Sequence, residues 1–232
     1  MVVSVNSLGL CDRLQSLVLA KMIDPEARVM WKTNFYVKKE WNELFTNDIS
    51  IGETKSDDRL IDINNYSDRH LIDVIKRPHR EHGIIVSNNV KRIVRSLEIQ
   101  PEVIDNALPG LSCDIAVHIR TWKEVPGLKK RFKLDRYTRA IDKLGSLGTI
   151  FVTSDDISQC YQMQDIYGDR VFMNDTTAEH YAFSNHIQVV KALQDLYISS
   201  MCDCIVGDKR SAYTQYACWM MKETRSLYID ND

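Results

Sequence analysis

Residues 113–124 read CDIAVHIRTWKE, and the rest of the chain is organised around them. The stretch opens on a short apolar run, Ile115-Ala116-Val117, with the character of a buried parallel strand. It then delivers His118 and Arg120 to the carboxyl end of that strand. In open α/β sheets this edge is where ligands bind, and a fixed cation there makes an anion site. Arginine suits phosphate because its planar fork stays charged and bonds bidentately. Spacing alone leaves two plainer roles open, an arginine in a surface ion pair and a histidine that caps or packs.

Working outward toward the C-terminus, the pattern alternates between strands and helices. Residues 134–147 place Leu134, Tyr137, Ile141 and Leu144 on one face of a helix. Residues 149–154 form a second buried strand that ends in Ser154-Asp155-Asp156, followed by a helix over 157–167 and a strand over 171–173. A long helical pattern occupies 180–201, with Val189, Val190, Leu193, Leu196 and Tyr197 in register. A strand over 204–206 leads through a loop to Ser211, which caps a helix over 212–222, and 226–229 reads as a last strand.

Toward the N-terminus, Val2-Val3-Ser4-Val5 is a strand, a loop carrying Gly9 follows, and a helix spans 13–22 with Asp12 as its N-cap or first-turn acid. A strand, a glycine loop and a helix can aim backbone N–H groups at an anion, although one glycine also fits an ordinary tight turn. A second strand covers 27–31. The aromatics Trp31, Phe35, Tyr36, Trp41 and Phe45 read as core, with 41–45 helical. Residues 47–58 are polar and loop-like. Strands over 60–63 and 84–87, helices over 68–76, 90–97 and 102–108, and the break Pro109-Gly110 complete the first half. This alternation predicts an α/β fold with mostly parallel sheets. The junction falls at 97–111, giving an N-terminal α/β lobe over 1–97 and a C-terminal Rossmann-like lobe over 112–232, with a cleft between them.

Composition narrows the function. The 232 residues are enough for one large or two small domains. A formal net charge of −2 argues against a nucleic-acid or membrane-surface binder. No window reaches the apolar length of a membrane span, and MVVSVNSLGLCDRLQ lacks the basic start and apolar core of a signal peptide. The six cysteines are scattered, which predicts reduced thiols and a cytoplasmic-type compartment. Cys202-x-Cys204 is too tight for a zinc hook and His79-x-x-His82 has no second ligand pair nearby, so no metal is expected.

Several stretches, in order, resemble the GDP-fucose-dependent fucosyltransferase superfamily, which includes α1,2-, α1,6- and protein O-fucosyltransferases. Gly9-Leu10-Cys11-Asp12-Arg13-Leu14 resembles its first glycine motif, His118-Ile119-Arg120 its His-x-Arg motif, and FVTSDD at 151–156 its Asp-Asp strand end. Asp195-Leu196, 202–207 and Ser211 to Thr214 are similar to its last motif. Thr121 and Trp122 stand where the pattern has a second arginine and a glycine, and Arg210 and Ala212 where it has hydroxyl residues.

The resemblance implies a GT-B-like fold of two Rossmann-like lobes, with acceptor on the N-terminal side and donor on the C-terminal side. It implies an inverting, metal-independent glycosyltransferase, needing no cofactor, that moves fucose from GDP-fucose to a glycan or other hydroxyl acceptor. Donor contacts are expected from Gly9, Arg13, His118, Arg120, Asp155, Asp156, Ser211 and Thr214. Asp155 or Asp156 would accept from guanine N–H groups, or one of them would cap the helix at Ile157. Arg120 would stabilise the leaving diphosphate, and Asp12 and Glu124 are the acids placed to take the acceptor's proton. Two rivals remain from sequence. One is a non-catalytic sugar-nucleotide or glycan binder on the same scaffold. The other is a sulfotransferase, for which Ser4 to Arg13 supplies too few loop glycines.

Overall fold

The β-branched and apolar runs form two all-parallel sheets. The structure is a computed structural model that describes residues 1–6, 9–34, 37–62, 88–105, 113–121, 132–145, 148–174, 186–222 and 226–229, without the side chains of 186–188 and 226–228. The first sheet contains β1 (Val2–Val5), β2 (Arg28–Met30), β3 (Ser50–Ile51) and β4 (Arg59–Ile61), in the order β3-β2-β1-β4. Val3 pairs with Arg28 on one side and Leu60 on the other. The second contains β5 (Ile115–Ile119), β6 (Ile150–Ser154), β7 (Val171–Phe172), β8 (Cys204–Gly207) and β9 (Ser226–Tyr228), in the order β7-β6-β5-β8-β9.

Helices cover both sheets. They are α1 (Leu10–Ile23), α2 (Asn88–Arg95), α3 (Pro101–Asp105), α4 (Leu134–Lys143), α5 (Ile157–Tyr167), α6 (His186–Met201) and α7 (Ala212–Met220). Every residue of β5 and β6 is buried, as the central strands of a two-sided parallel sheet must be. Side-chain alternation then sorts them. Ile115, Val117, Ile119, Ile150 and Val152 pack on Tyr137 and Ile141 of α4 and on Cys160 and Met163 of α5. Ala116, Phe151 and Ile205 turn to the other side, toward α6 and α7.

That second face does not end at the lobe boundary. One apolar cluster runs from Leu14, Leu17 and Val18 of α1 through Val90 and Ile93 of α2 to Leu193, Tyr216 and Trp219 of α6 and α7. α1 is consequently buried on nearly every side. Polar bonds cross with the apolar contacts. Gln15 Nε2 donates to Ala212 O at 3.2 Å and to Gln215 Oε1 at 3.1 Å. Arg95 donates to the carbonyls of Met221 and Lys222, each at 3.0 Å, where α7 ends and its carbonyls lack helical partners. α3 is tied to α6 by Gln194 Nε2, which donates to Val103 O at 2.9 Å.

Local differences from the sequence reading have simple causes. The loop expected over 47–58 contains β3, a two-residue edge strand too short to show a period. Residues 41–45 give a 3₁₀ turn, Trp41–Glu43, closed by reciprocal capping between Glu40 and Glu43, in place of a full helix. α1 begins at Leu10, which makes Asp12 a first-turn acid and Gly9 the N-cap. Trp31, Trp41 and Phe45 are core, with ring centroids 5.3 and 4.3 Å apart along the series. Phe35, Tyr36, the helix over 68–76 and the strand over 84–87 lie outside the described residues.

Candidate functional site

The chemistry-bearing side chains gather at the carboxyl edge of the second sheet. β5 and β8 are neighbours, with His118 opposite Gly207, and β5 also pairs with β6, with Ile119 opposite Ser154. The segments that leave these three strands therefore emerge side by side. They carry Arg120 and Thr121, Asp155 and Asp156, and Asp208 to Ser211.

Arg120 and Asp155 form a buried ion pair, each about 8% exposed at the side chain. Asp155 also accepts from the backbone N–H of Thr121 at 2.8 Å and from its hydroxyl at 3.1 Å. Backbone N–H of Arg120 donates to the Tyr137 phenol at 3.1 Å. The guanidinium is thus held by a carboxylate that is itself held by the next residue, a rigid arrangement in low dielectric. Asp156 caps α5, accepting from Ser158 N–H at 3.1 Å and from its hydroxyl at 2.8 Å. The two adjacent acids split their work, one to the arginine and one to the helix.

His118 faces α7. Its Nδ1 lies 2.8 Å from Thr214 Oγ1 and 3.5 Å from Ser211 Oγ, and its ring stacks on Tyr213 at 4.2 Å between centroids. Burial, with the Arg120 charge adding to it, lowers its pKa to about 3, so the imidazole is neutral at physiological pH. It locks β5 to the first turn of α7. Gly207 makes the close approach possible, because a Cβ there would lie 2.6 Å from Thr214 Oγ1. Ser211 caps α7, its Oγ accepting from Thr214 N–H at 3.5 Å. The N–H groups of that first turn and the positive end of the helix dipole sit at the sheet edge.

The first lobe contributes the start of α1. Gly9 accepts from Arg13 N–H at 3.1 Å. Arg13 is buried over the Trp31 ring, 5.0 Å from its centroid, and donates to Lys32 O at 2.7 Å. Burial brings its pKa down to about 10, which leaves it charged at neutral pH. Asp12 is half-buried in the same turn. Because Gln15 reaches Ala212, the N-terminal half of α1 lies beside the start of α7. Glu124 falls outside the described residues.

Three groups had not been singled out as site residues from sequence. Asp208, almost fully buried, binds Arg210 through Nη2 at 2.6 Å and Nε at 3.1 Å. Tyr137 links Arg120 to α4. Asp195, inside the apolar stripe of α6, accepts from Thr153 Oγ1 at 3.0 Å and from Asn174 Nδ2, and burial raises its pKa to about 7. The first was signalled by its place just after a strand, the last by a carboxylate on the buried face of a helix. Among the described residues, no three His, Cys, Asp or Glu side chains converge as metal ligands. No described helix is long and apolar enough to cross a membrane.

No protein-family model matches the sequence, and no curated protein matches it. Solved structures match the fold. The NodZ alpha-1,6-fucosyltransferase co-crystallised with GDP, known from Bradyrhizobium, is 19% identical, with 95% of this chain and 92% of that chain covered and a TM-score of 0.62. A mutant of Arabidopsis thaliana FUT1 in complex with GDP is 12% identical over 94% of this chain and 68% of that one, TM-score 0.60. POFUT1 in complex with GDP-fucose is 10% identical over 98% and 96%, TM-score 0.56. The chain therefore has the GT-B-like, doubly α/β fold that these fucosyltransferases share.

Proposed function

We propose that the chain is an inverting glycosyltransferase that transfers fucose from GDP-fucose to a glycan or other hydroxyl acceptor. The donor binds the C-terminal lobe, residues 112–232, and the acceptor approaches from the N-terminal lobe, residues 1–97. One observation carries the reading. Arg120, fixed by Asp155, and the Ser211-capped start of α7 rise from adjacent strand ends, beside the N-terminal half of α1. This is an anion site at the edge where α/β folds bind nucleotides. The neighbours of the same fold include crystals with GDP and with GDP-fucose.

In the reaction, the acceptor oxygen attacks the anomeric carbon from the face opposite the diphosphate. The bond from that carbon to the diphosphate oxygen breaks, and the diphosphate leaves with the electron pair. Arg120 and the N–H groups of α7 are fixed before the charge develops, which is how a site stabilises a leaving anion. The acceptor's proton passes to a carboxylate, for which Asp12 and Glu124 are the candidates, or to the departing diphosphate. Protein cations alone supply the countercharge in this scheme, with no divalent ion. The six cysteines are all free thiols, which fits a reducing, cytoplasmic-type compartment.

Calorimetry of the chain with GDP, GMP, UDP and GDP-fucose, with and without EDTA, tests the reading. The expected result is binding of GDP and GDP-fucose that chelation leaves unchanged, together with slow release of fucose from the donor. No binding of any nucleoside diphosphate would overturn it, and loss of binding on chelation would remove its metal-free part.

A further inference from the structure

We propose that Arg210, oriented by Asp208, is a second diphosphate-binding cation beside Arg120. The inference rests on the reading of this edge as a nucleoside-diphosphate-sugar site and names a residue for it.

A diphosphate brings more than one negative charge, and its departure from the sugar adds another. Arg120 alone meets this poorly, because its side chain is only about 8% exposed. β8 is hydrogen-bonded directly to β5, so Arg210 emerges next to Arg120. The Tyr137 phenol accepts from the backbone N–H of Arg120 at the end of β5. The residue after Arg210 is Ser211, the cap of α7, so a phosphate at that helix start has Arg210 for a neighbour.

The two arginines differ in access. In the Arg120 pair both side chains are about 8% exposed. In the Arg210 pair the Asp208 side chain is 2% exposed and the Arg210 side chain 28%. Asp208 sits beneath and grips from below, with Oδ1 accepting from the backbone N–H of Arg210 at 2.9 Å and from Nε at 3.1 Å, and Oδ2 from Nη2 at 2.6 Å. Two bonds from one buried carboxylate hold the guanidinium of a partly exposed side chain, and a third anchors its backbone. A plain surface ion pair has neither the buried partner nor the neighbouring helix start. Asp208 is then a positioning residue and Arg210 the ligand contact, a preorganised cation that loses little side-chain entropy on binding.

The test is calorimetry with GDP and with GMP, which separates the second phosphate from the rest of the nucleotide, plus donor turnover. R210Q is expected to lose at least tenfold in GDP affinity, about 1.4 kcal/mol, while GMP affinity changes much less; because it leaves Asp208 buried without its cation, its melting temperature is expected to fall. D208N is expected to lower the GDP-to-GMP preference in the same direction through a less ordered Arg210. D208N/R210Q removes both charges together and carries the same expectation for GDP and GMP. An R210Q or D208N/R210Q variant with the wild-type GDP-to-GMP preference would overturn the inference and leave the proposed function standing. A wild-type chain that binds no GDP would overturn both.

Discussion

Replacing Gly207 with alanine drives a Cβ into Thr214. It would lie 2.6 Å from Oγ1, 2.7 Å from Cγ2 and 3.3 Å from Cβ of that residue. Ordinary contact starts near 3.5 Å, so the gap must open by roughly 1 Å. Thr214 is fully buried and cannot turn aside without losing Nδ1 of His118, 2.8 Å from its hydroxyl. Overpacking of this kind costs about 1–3 kcal/mol. A buried imidazole stripped of its partner adds about 1–3 kcal/mol. Gly207→Ala is therefore expected to destabilise by about 2–6 kcal/mol.

Thr214→Ala alone removes the His118 bond and costs about 1–3 kcal/mol. It also empties the space that the new Cβ needs. The double variant should then be little worse than Thr214→Ala, with a coupling about as large as the Gly207→Ala cost itself, well beyond the additivity expected of independent sites. Urea unfolding of the four proteins measures it, with the m-value as a check that the denatured state is unchanged. Strict additivity would refute the close approach of β8 and α7, and with it the account of how α7 is aimed at the sheet edge.

Two further outcomes follow from the buried charges. Arg120→Ala leaves Asp155 buried without its cation and should cost about 3–5 kcal/mol in chemical denaturation; adding Asp155→Ala should recover much of that while GDP affinity stays at least tenfold down, and a single variant as stable as wild type would sink the buried-pair account. Burial raises the Asp195 pKa to about 7, above its ordinary value of 3.8, so the folded state holds a proton that the unfolded state has released. Its contribution therefore makes stability fall as pH rises between about 4 and 7, by on the order of 1.4 kcal/mol per pH unit, with no slope from this group outside that window. Asp195→Asn should flatten the difference profile, read from unfolding curves at pH 4.5, 6 and 7.5, and parallel profiles for the two proteins would contradict it.

The strands of the second sheet were legible because each is a short apolar run ending in a polar residue, and their parallel pairing followed from the helices between them. β3 was not, since two residues on a sheet edge carry no period. Arg120 and Asp155 were each readable as edge residues, but their pairing was not. They are 35 positions apart, and no spacing rule joins the ends of neighbouring strands. Asp156 as a cap was one of two stated alternatives, and local geometry decided where it sits because its partner, Ser158, is two residues away. The role of His118 as a tie between strand and helix depends on Thr214, 96 positions on, and became visible only once the sheet was assembled. The continuity of the core across the lobes was equally hidden, because the faces of α1 that meet α7 and those that meet β1 look alike in sequence.

That continuity has a consequence for how the chain is made. Gln15 meets Gln215, 200 positions away, and the apolar stripes around them meet in the same place. While the ribosome is still adding the second sheet, α1 has only part of its covering, and its leucines remain in water or in the hands of a chaperone. Contacts of such long sequence separation form late and slowly. The first lobe can collect its strands early but cannot finish its interior until α7 has left the exit tunnel. Native structure in the two halves thus completes together, and a nascent chain stalled before residue 212 presents α1 as a sticky, unfinished surface.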